Sequence, residues 1–288
     1  MPLDEIKHGR DAILAAKLLP AVLLLAACAQ QPIVEPNPLV GRIWDARAAA
    51  FVSQDALFDR VAESRYVILG ETHDNPEQHR LQRVVLEGLA ARGQQSVLAM
   101  EQFDSQYQAE LDAARTRGAD AEGLADAGHF DRKGWNWPLY KPLVQFAIEF
   151  GWPIAAANLS RGDARAIVAD PARSGLPPAD PYVETALSRD ISESHCGNTP
   201  DAKLLRGMVE AQRARDARMA SVFKRDTVLI AGAGHARRDR GVPIYVEGKV
   251  VSIAFMETES GKDRPADYEQ SYDYLWFTSR ATRADPCG

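Results

Sequence analysis

Short apolar runs rich in β-branched and aliphatic residues recur along the chain at 66–69, 97–100, 154–157, 227–231, 243–246 and 250–255. Each is four to six residues long, the length of a buried strand rather than a helix. Polar stretches with helical spacing separate the first three and precede the fourth. Strand and helix alternating in this way predict an α/β fold: a mostly parallel central sheet flanked by helices. The last two runs are separated only by Glu247-Gly248-Lys249, which predicts an antiparallel hairpin at one edge of the sheet.

The best specified helix start follows the first strand. Gly70-Glu71-Thr72-His73-Asp74 leads to Asn75 as N-cap, Pro76 at the first helical position and Gln78 where a capping-box partner belongs. The helix is expected over 76–92, burying Leu81, Val84, Val85 and Leu89, with Gly93 ending it. His73 then lies on a strand-to-helix corner, at the carboxyl end of a strand, where open α/β sheets bind ligands. A second long helix, 201–224, carries Arg206, Glu210, Arg213 and Asp216, expected to form a solvated face of i,i+4 pairs.

The N-terminus changes the picture from a plain domain to an exported one. Lys7, Arg10 and Lys17 precede an apolar run over 18–27, too short to span a bilayer but suited to a signal-peptide core. It ends in Leu25-Ala26-Ala27-Cys28, which resembles the lipobox of bacterial lipoproteins. That resemblance implies cleavage before Cys28 and acylation of the cysteine with chains such as palmitate, a stable membrane anchor. Ala29, not being Asp, implies outer-membrane sorting within the cell envelope. The expected organisation is therefore a signal peptide over 1–27, a lipidated cysteine with a proline-containing tether over 28–40, and one domain over 41–288. With 45% hydrophobic and 26% charged residues over its full length the chain can bury a sizeable core. A net charge of −6 without a Lys/Arg block lacks the footprint of a nucleic-acid binder. In an oxidising compartment Cys196 and Cys287 could pair and pin the C-terminal tail, or both remain free.

Candidate chemistry gathers at two similar corners. Gly232-Ala233-Gly234-His235 follows the strand at 227–231 as Gly70 to His73 follows the strand at 66–69, each in the form strand, then G-x-x-H. In a parallel sheet both histidines reach the same rim, and Glu101 ends a third such strand. Two imidazoles and a carboxylate could ligate a metal or act as acid and base, with Glu71 in reserve; each histidine could equally be a hydrogen-bonded structural residue. His79, six residues after His73, is placed to line the same mouth, whereas His129 and His195 read as structural. The segment Trp135-Asn136-Trp137-Pro138-Leu139-Tyr140-Lys141 concentrates aromatic surface. It reads either as a helix entry packing two Trp into the core, or as a wall for a large flat ligand. In the second case Tyr140 is an oxygen ligand to ferric iron, and Lys141 lies near an acid group.

Taken in series, GETHDNPEQH (70–79), MEQFDSQYQ (100–108), WPLYKP (137–142), AANLSRG (156–162), SHCG (194–197), AQRARDARMA (211–220) and AGAGHARRDRGVP (231–243) resemble the ChaN family of haem-binding uptake lipoproteins. The resemblance implies iron-linked expression, haem bound between the subunits of a homodimer, iron held by a tyrosine of one subunit, and propionates contacted by His and Lys of the other. Tyr140, Lys141, His73, His235 and His79 are the positions it implies for cofactor binding, Tyr140 as the iron ligand and Tyr107 as the rival phenol. It also implies haem-transport components as partners. At the two G-x-x-H corners the chain is similar to erythromycin esterases and Tiki-type metalloproteases, which implies the alternative of a metal-dependent hydrolase. There Glu71, His73, Glu101 and His235 would bind a divalent metal or act in catalysis, with water as nucleophile.

Overall fold

The computed structural model describes residues 37–196 and 198–283 together with Cys287. The signal segment, Cys28 and the tether up to residue 36 lie outside the described residues. One sheet of eight strands organises the domain. In chain order they are β1 (Ile43–Asp45), β2 (Ala50–Val52), β3 (Tyr66–Glu71), β4 (Val97–Asp104), β5 (Ile154–Asn158), β6 (Thr227–Gly232), β7 (Val250–Glu257) and β8 (Tyr274–Thr278). Across the sheet the order is β2-β1-β8-β7-β3-β6-β4-β5. From β8 to β5 every pairing is parallel, and β1 runs antiparallel to both of its neighbours. The helices are α1 (Gln54–Ala62), α2 (Pro76–Ala90), α3 (Gln108–Thr116), α4 (Ala121–Ala127), α5 (Trp137–Glu149), α6 (Arg161–Ala169), α7 (Pro181–Ser194) and α8 (Ala202–Ala220).

The central strands read as unbroken apolar runs because both faces of the sheet are covered. Val67, Leu69, Leu98, Met100, Val228 and Ile230 point to one side, against Leu81, Val85, Leu89 and Val144 of α2 and α5. Ile68, Ala99, Leu229 and Ala231 alternate with them and point to the other side, against Met219, Ala220 and Phe223 at the end of α8. The two-residue repeat of a strand thus feeds two cores.

Three expectations are corrected. The run at 243–246 is not a strand: residues Val242–Tyr245 form a single 3-10 turn, opened by Pro243, which has no N–H to give a ladder. Accordingly β7 is not an edge hairpin strand but lies inside the sheet, paired parallel with β3 and β8. The edge hairpin does exist, built instead by β1 and β2, with the Asp45 carboxylate accepting from the N–H groups of Arg47 and Ala48 at 3.0 and 2.8 Å in the turn. Helix α2 is capped by Asn75 as expected. Gln78, however, accepts from the Thr72 N–H at 2.6 Å and donates to Thr278 Oγ1 at 3.1 Å rather than closing a capping box. Finally, the charged face of α8 is not all solvated, since Arg213 and Asp216 are buried.

Cys196, just past α7, is bonded to Cys287 across a Cα–Cα distance of 5.4 Å, within the ordinary span of a disulfide. Among the described residues no helix is long and apolar enough to cross a membrane.

Candidate functional site: an ionic rim beside an open cavity

Strands β3, β6 and β4 lie side by side, so their carboxyl ends meet at one rim. The approach of the two G-x-x-H corners is close enough to require glycine: a Cβ on Gly70 would lie 2.6 Å from the Ala236 Cβ and 3.1 Å from the Ala233 Cα. A Cβ on Gly232 would likewise meet the His73 ring at 2.9 Å. Glu101 is tied into the second corner, its Oε2 accepting from the Gly232 N–H at 2.9 Å. His73 and His235, 162 positions apart in the chain, therefore share one rim with Glu71 and Glu101.

The side chains pair off rather than converge on a point. His73 Nδ1 lies 2.9 Å from Glu71 Oε1, which also accepts from the Tyr140 hydroxyl at 2.6 Å. His79 Nδ1 is 3.0 Å from Glu71 Oε2, an ionic contact without hydrogen-bond alignment, while its Nε2 lies 3.0 Å from the His73 carbonyl oxygen. His235 sits between two carboxylates, with Nδ1 2.6 Å from Asp216 Oδ1 and Nε2 3.4 Å from Glu101 Oε1. Among the described residues no group of three or more His, Cys, Asp or Glu could hold a metal ion. The divalent-metal alternative thus finds no donor set here, because these donors are engaged with one another.

Burial sets the electrostatics of the rim. It pushes the Glu71 carboxyl upward, but the facing imidazoles of His79 and His73 overcome it and hold the group at about 2. Glu101 behaves alike, burial being outweighed by His235 and His73, and is also held at about 2. His73 and His79 are each raised, burial working against the charged ring and Glu71 for it. His235 is raised to about 10, because Glu101 and Asp216 together outweigh its desolvation. Asp216 moves the opposite way from Glu101, up to about 6, through burial and the nearby Glu101 charge. Two carboxylates about one imidazolium leave a net negative charge in a dry place, and Asp216 is the member that takes up the proton.

The positions expected to bind a cofactor divide sharply. Tyr140, expected as the iron ligand, has its ring fully buried in α5 and its hydroxyl spent on Glu71. Burial and the Glu71 charge drive its pKa strongly upward. Lys141 points elsewhere, to Glu122 at 2.9 Å. His79 and His235 are buried within the ionic network, His79 also bordering a separate cavity with Pro76, Leu139 and Pro142. Of these three histidines only His73 presents an open imidazole, its side chain 47% exposed and set edge-on to Trp135 at 4.6 Å between ring centroids.

Trp135 leads to an open cavity of about 720 Å³ past the ends of β4 and β5. Its wall carries Tyr107 and His129, whose rings stack at 4.0 Å and 19°, with Arg161 and Arg215 on the same wall. His129, expected to be structural, adopts φ +50 to reach this place, a conformation that His tolerates better than most residues. His195 is exposed at the end of α7, with Nδ1 2.7 Å from the Ile191 carbonyl oxygen, in keeping with a structural role. Asp216 was missed in the sequence, where it is one more charge on a charged helix.

Comparison with known proteins finds a similar fold in a solved structure. The solved structure described as cofacial heme binding to ChaN of Campylobacter jejuni superposes with a TM-score of 0.69 at 25% identity, covering 81% of this chain and 95% of that one. The type III effector HopBA1 aligns at 15% identity and a TM-score of 0.47, over 78% of this chain and 92% of its own. No curated protein matches. The family model described as haem-binding uptake, Tiki superfamily, ChaN matches residues 57–246, well over half of the chain. The protein belongs to the ChaN family of haem-binding uptake proteins within the Tiki superfamily.

Proposed function

We propose that this protein is a membrane-anchored haem-binding lipoprotein of haem and iron uptake, with Tyr107 as the iron ligand. The observation that carries the assignment is that Tyr107 stands on the wall of the large rim cavity, whereas Tyr140 is sealed in the core. The residues present fit the group. The cavity is within the size range of small-molecule sites, Trp135 gives it an aromatic wall, and Arg161 and Arg215 give it cations suited to carboxylates. Bound haem supplies a ferric ion for which a phenolate is a hard anionic donor. His129, stacked on the Tyr107 ring, holds that phenol in orientation, and His73 stands beyond Trp135 to meet a polar edge of the ligand.

The cavity is open on one side, so a second copy is the natural cover: a two-fold axis would repeat each contact and enclose two ligands. That the Campylobacter relative binds heme cofacially supports this arrangement. Lipid on Cys28 would hold the domain at the outer membrane, where transport components could pass haem to it or take it away.

The test is titration of the purified protein with ferric haem, followed by absorbance. A ferric tyrosinate-type spectrum and a shift to dimer on loading are expected for the wild type, and Tyr107→Phe should abolish the spectrum. Retention of that spectrum by Tyr107→Phe would refute the assignment. Cys28→Ser should move the protein out of the membrane fraction.

A further inference from the structure

The chain that carries Tyr107 to the cavity leaves the sheet at an irregularity. Between β4 and β5 the register runs from Met100 opposite Ala156 to Asp104 opposite Asn158, four steps against two, so β4 bulges just before the turn Ser105–Tyr107. Among the described residues no N-cap side chain closes that turn or the start of α3. Strand β5 is also the last of the sheet, so its outer N–H and C=O groups face no further strand. The Gln108 carboxamide meets both needs. Its Nε2 donates to the Ile154 carbonyl oxygen at 3.1 Å, and its Oε1 accepts from the Ala156 N–H at 2.7 Å. A residue of a further parallel strand would take this same pair of edge groups, and a carboxamide has the polarity of a peptide group. Nε2 also donates to Asp112 Oδ1 at 2.9 Å, one turn along α3.

Resting on the reading of Tyr107 as the iron ligand, we propose that Gln108 is its positioning residue. By taking the place of a ninth strand on the β5 edge, the Gln108 side chain pins the turn and holds the neighbouring phenol at the cavity wall. The two neighbours of that phenol divide the work. His129, stacked on the Tyr107 ring, orients the ring, whereas Gln108 fixes the backbone from which the ring projects. Released from β5, the turn is free to hinge at the bulge, and the phenol loses the fixed placement that a coordination bond demands.

The experiment compares the full protein with Gln108→Met, Gln108→Glu, Asp112→Ala and Tyr107→Phe. It reads amide exchange at Ala156 without haem, and absorbance during titration with ferric haem. Methionine keeps the length of the side chain and removes its three hydrogen bonds. In Gln108→Met the Ala156 amide should exchange about tenfold faster, haem should bind about tenfold more weakly, and the ferric tyrosinate-type absorption should shift or be lost. Asp112→Ala leaves both bonds to β5 in place and should match the wild type in exchange and spectrum, which separates the pin from plain support of α3. If Gln108→Met fails to fold, Gln108→Glu carries the test. It keeps the acceptor for Ala156 but sets a second oxygen against the Ile154 carbonyl, and should weaken haem binding with Ala156 still protected. Wild-type spectrum and affinity in the folded Gln108 variant, or unchanged exchange at Ala156 in Gln108→Met, overturns the positioning role and leaves the Tyr107 reading standing. A spectrum retained by Tyr107→Phe overturns that reading and the positioning role with it.

Discussion

Replacing Tyr140 by Phe separates a structural phenol from the one proposed to bind iron. The ring would stay where it is, packed edge-on against His79 at 4.5 Å and near Trp135 and Phe130 at 5.8 and 5.9 Å. What is lost is the hydroxyl that donates to Glu71 Oε1 at 2.6 Å. A hydrogen bond to a charged group contributes about 1.5–3 kcal/mol, so a loss of about 2 kcal/mol is expected. For a domain of this size that corresponds to a fall in Tm of roughly 4–8 °C. Acid should narrow the gap. Glu71 is held at about 2 in the folded protein, below its ordinary 4.5. Its contribution is therefore complete above about pH 4.5 and lost as pH falls toward 2. Removing a donor to the charged form raises the folded value, and the acid unfolding midpoint should move up. The assay pairs thermal melts from pH 3 to 7 with a haem titration on each variant. Tyr140→Phe should lose stability and keep the haem spectrum; Tyr107→Phe should lose the spectrum and hold stability within about 0.5 kcal/mol, as partly exposed sites do. The reverse pattern would refute the reasoning.

His235 is raised to about 10 from 6.5, so the stability it contributes is complete below about pH 6.5 and lost as pH rises toward 10. Asp216→Asn, which removes one of its carboxylates, should shift that alkaline loss to lower pH in urea midpoints measured from pH 6 to 10; an unmoved curve would sever the pair. Reduction of the Cys196–Cys287 bond, which spans 91 residues, should lower stability by up to about 4–5 kcal/mol on the loop-entropy model. Melts with and without reductant read this, and identical curves would mean no bond. Gly70→Ala puts a Cβ 2.6 Å from that of Ala236 and should cost about 1–3 kcal/mol by overpacking while pushing the two corners apart. A neutral Gly70→Ala would mean the corners are not in contact.

The parts of the fold that could be read in the sequence are those where one physical requirement dominates. Strands β3 to β7 are buried on both faces, and no polar residue could interrupt them without a partner, so their cores stand out as apolar runs. Strands β1 and β2, three residues each, are too short for any period to register. The rim was legible for a topological reason: adjacent parallel strands end on the same side, so histidines after two of them had to meet. Asp216 was not legible, because the exposure of a charge on an amphipathic helix depends on what packs there, and its partner His235 lies 19 residues away in the chain.

Tyr140 is the instructive case. Phenol chemistry suits ferric iron equally well at any position, so chemistry alone could not say which tyrosine faces a ligand. The spacing could have. Trp137, Tyr140, Val144 and Ala147 fall three or four residues apart, the stripe by which a helix presents one face to a core. Lys141 lies off that stripe, and it is the member of the pair that stays at the surface with Glu122. Tyr107 belongs to no such stripe. It sits in the turn Ser105–Tyr107 immediately after the carboxyl end of β4, and in a parallel sheet that is the side where ligands enter. Of the two phenols, helical periodicity places one in the core, and the carboxyl end of a strand holds the one proposed to meet the ligand.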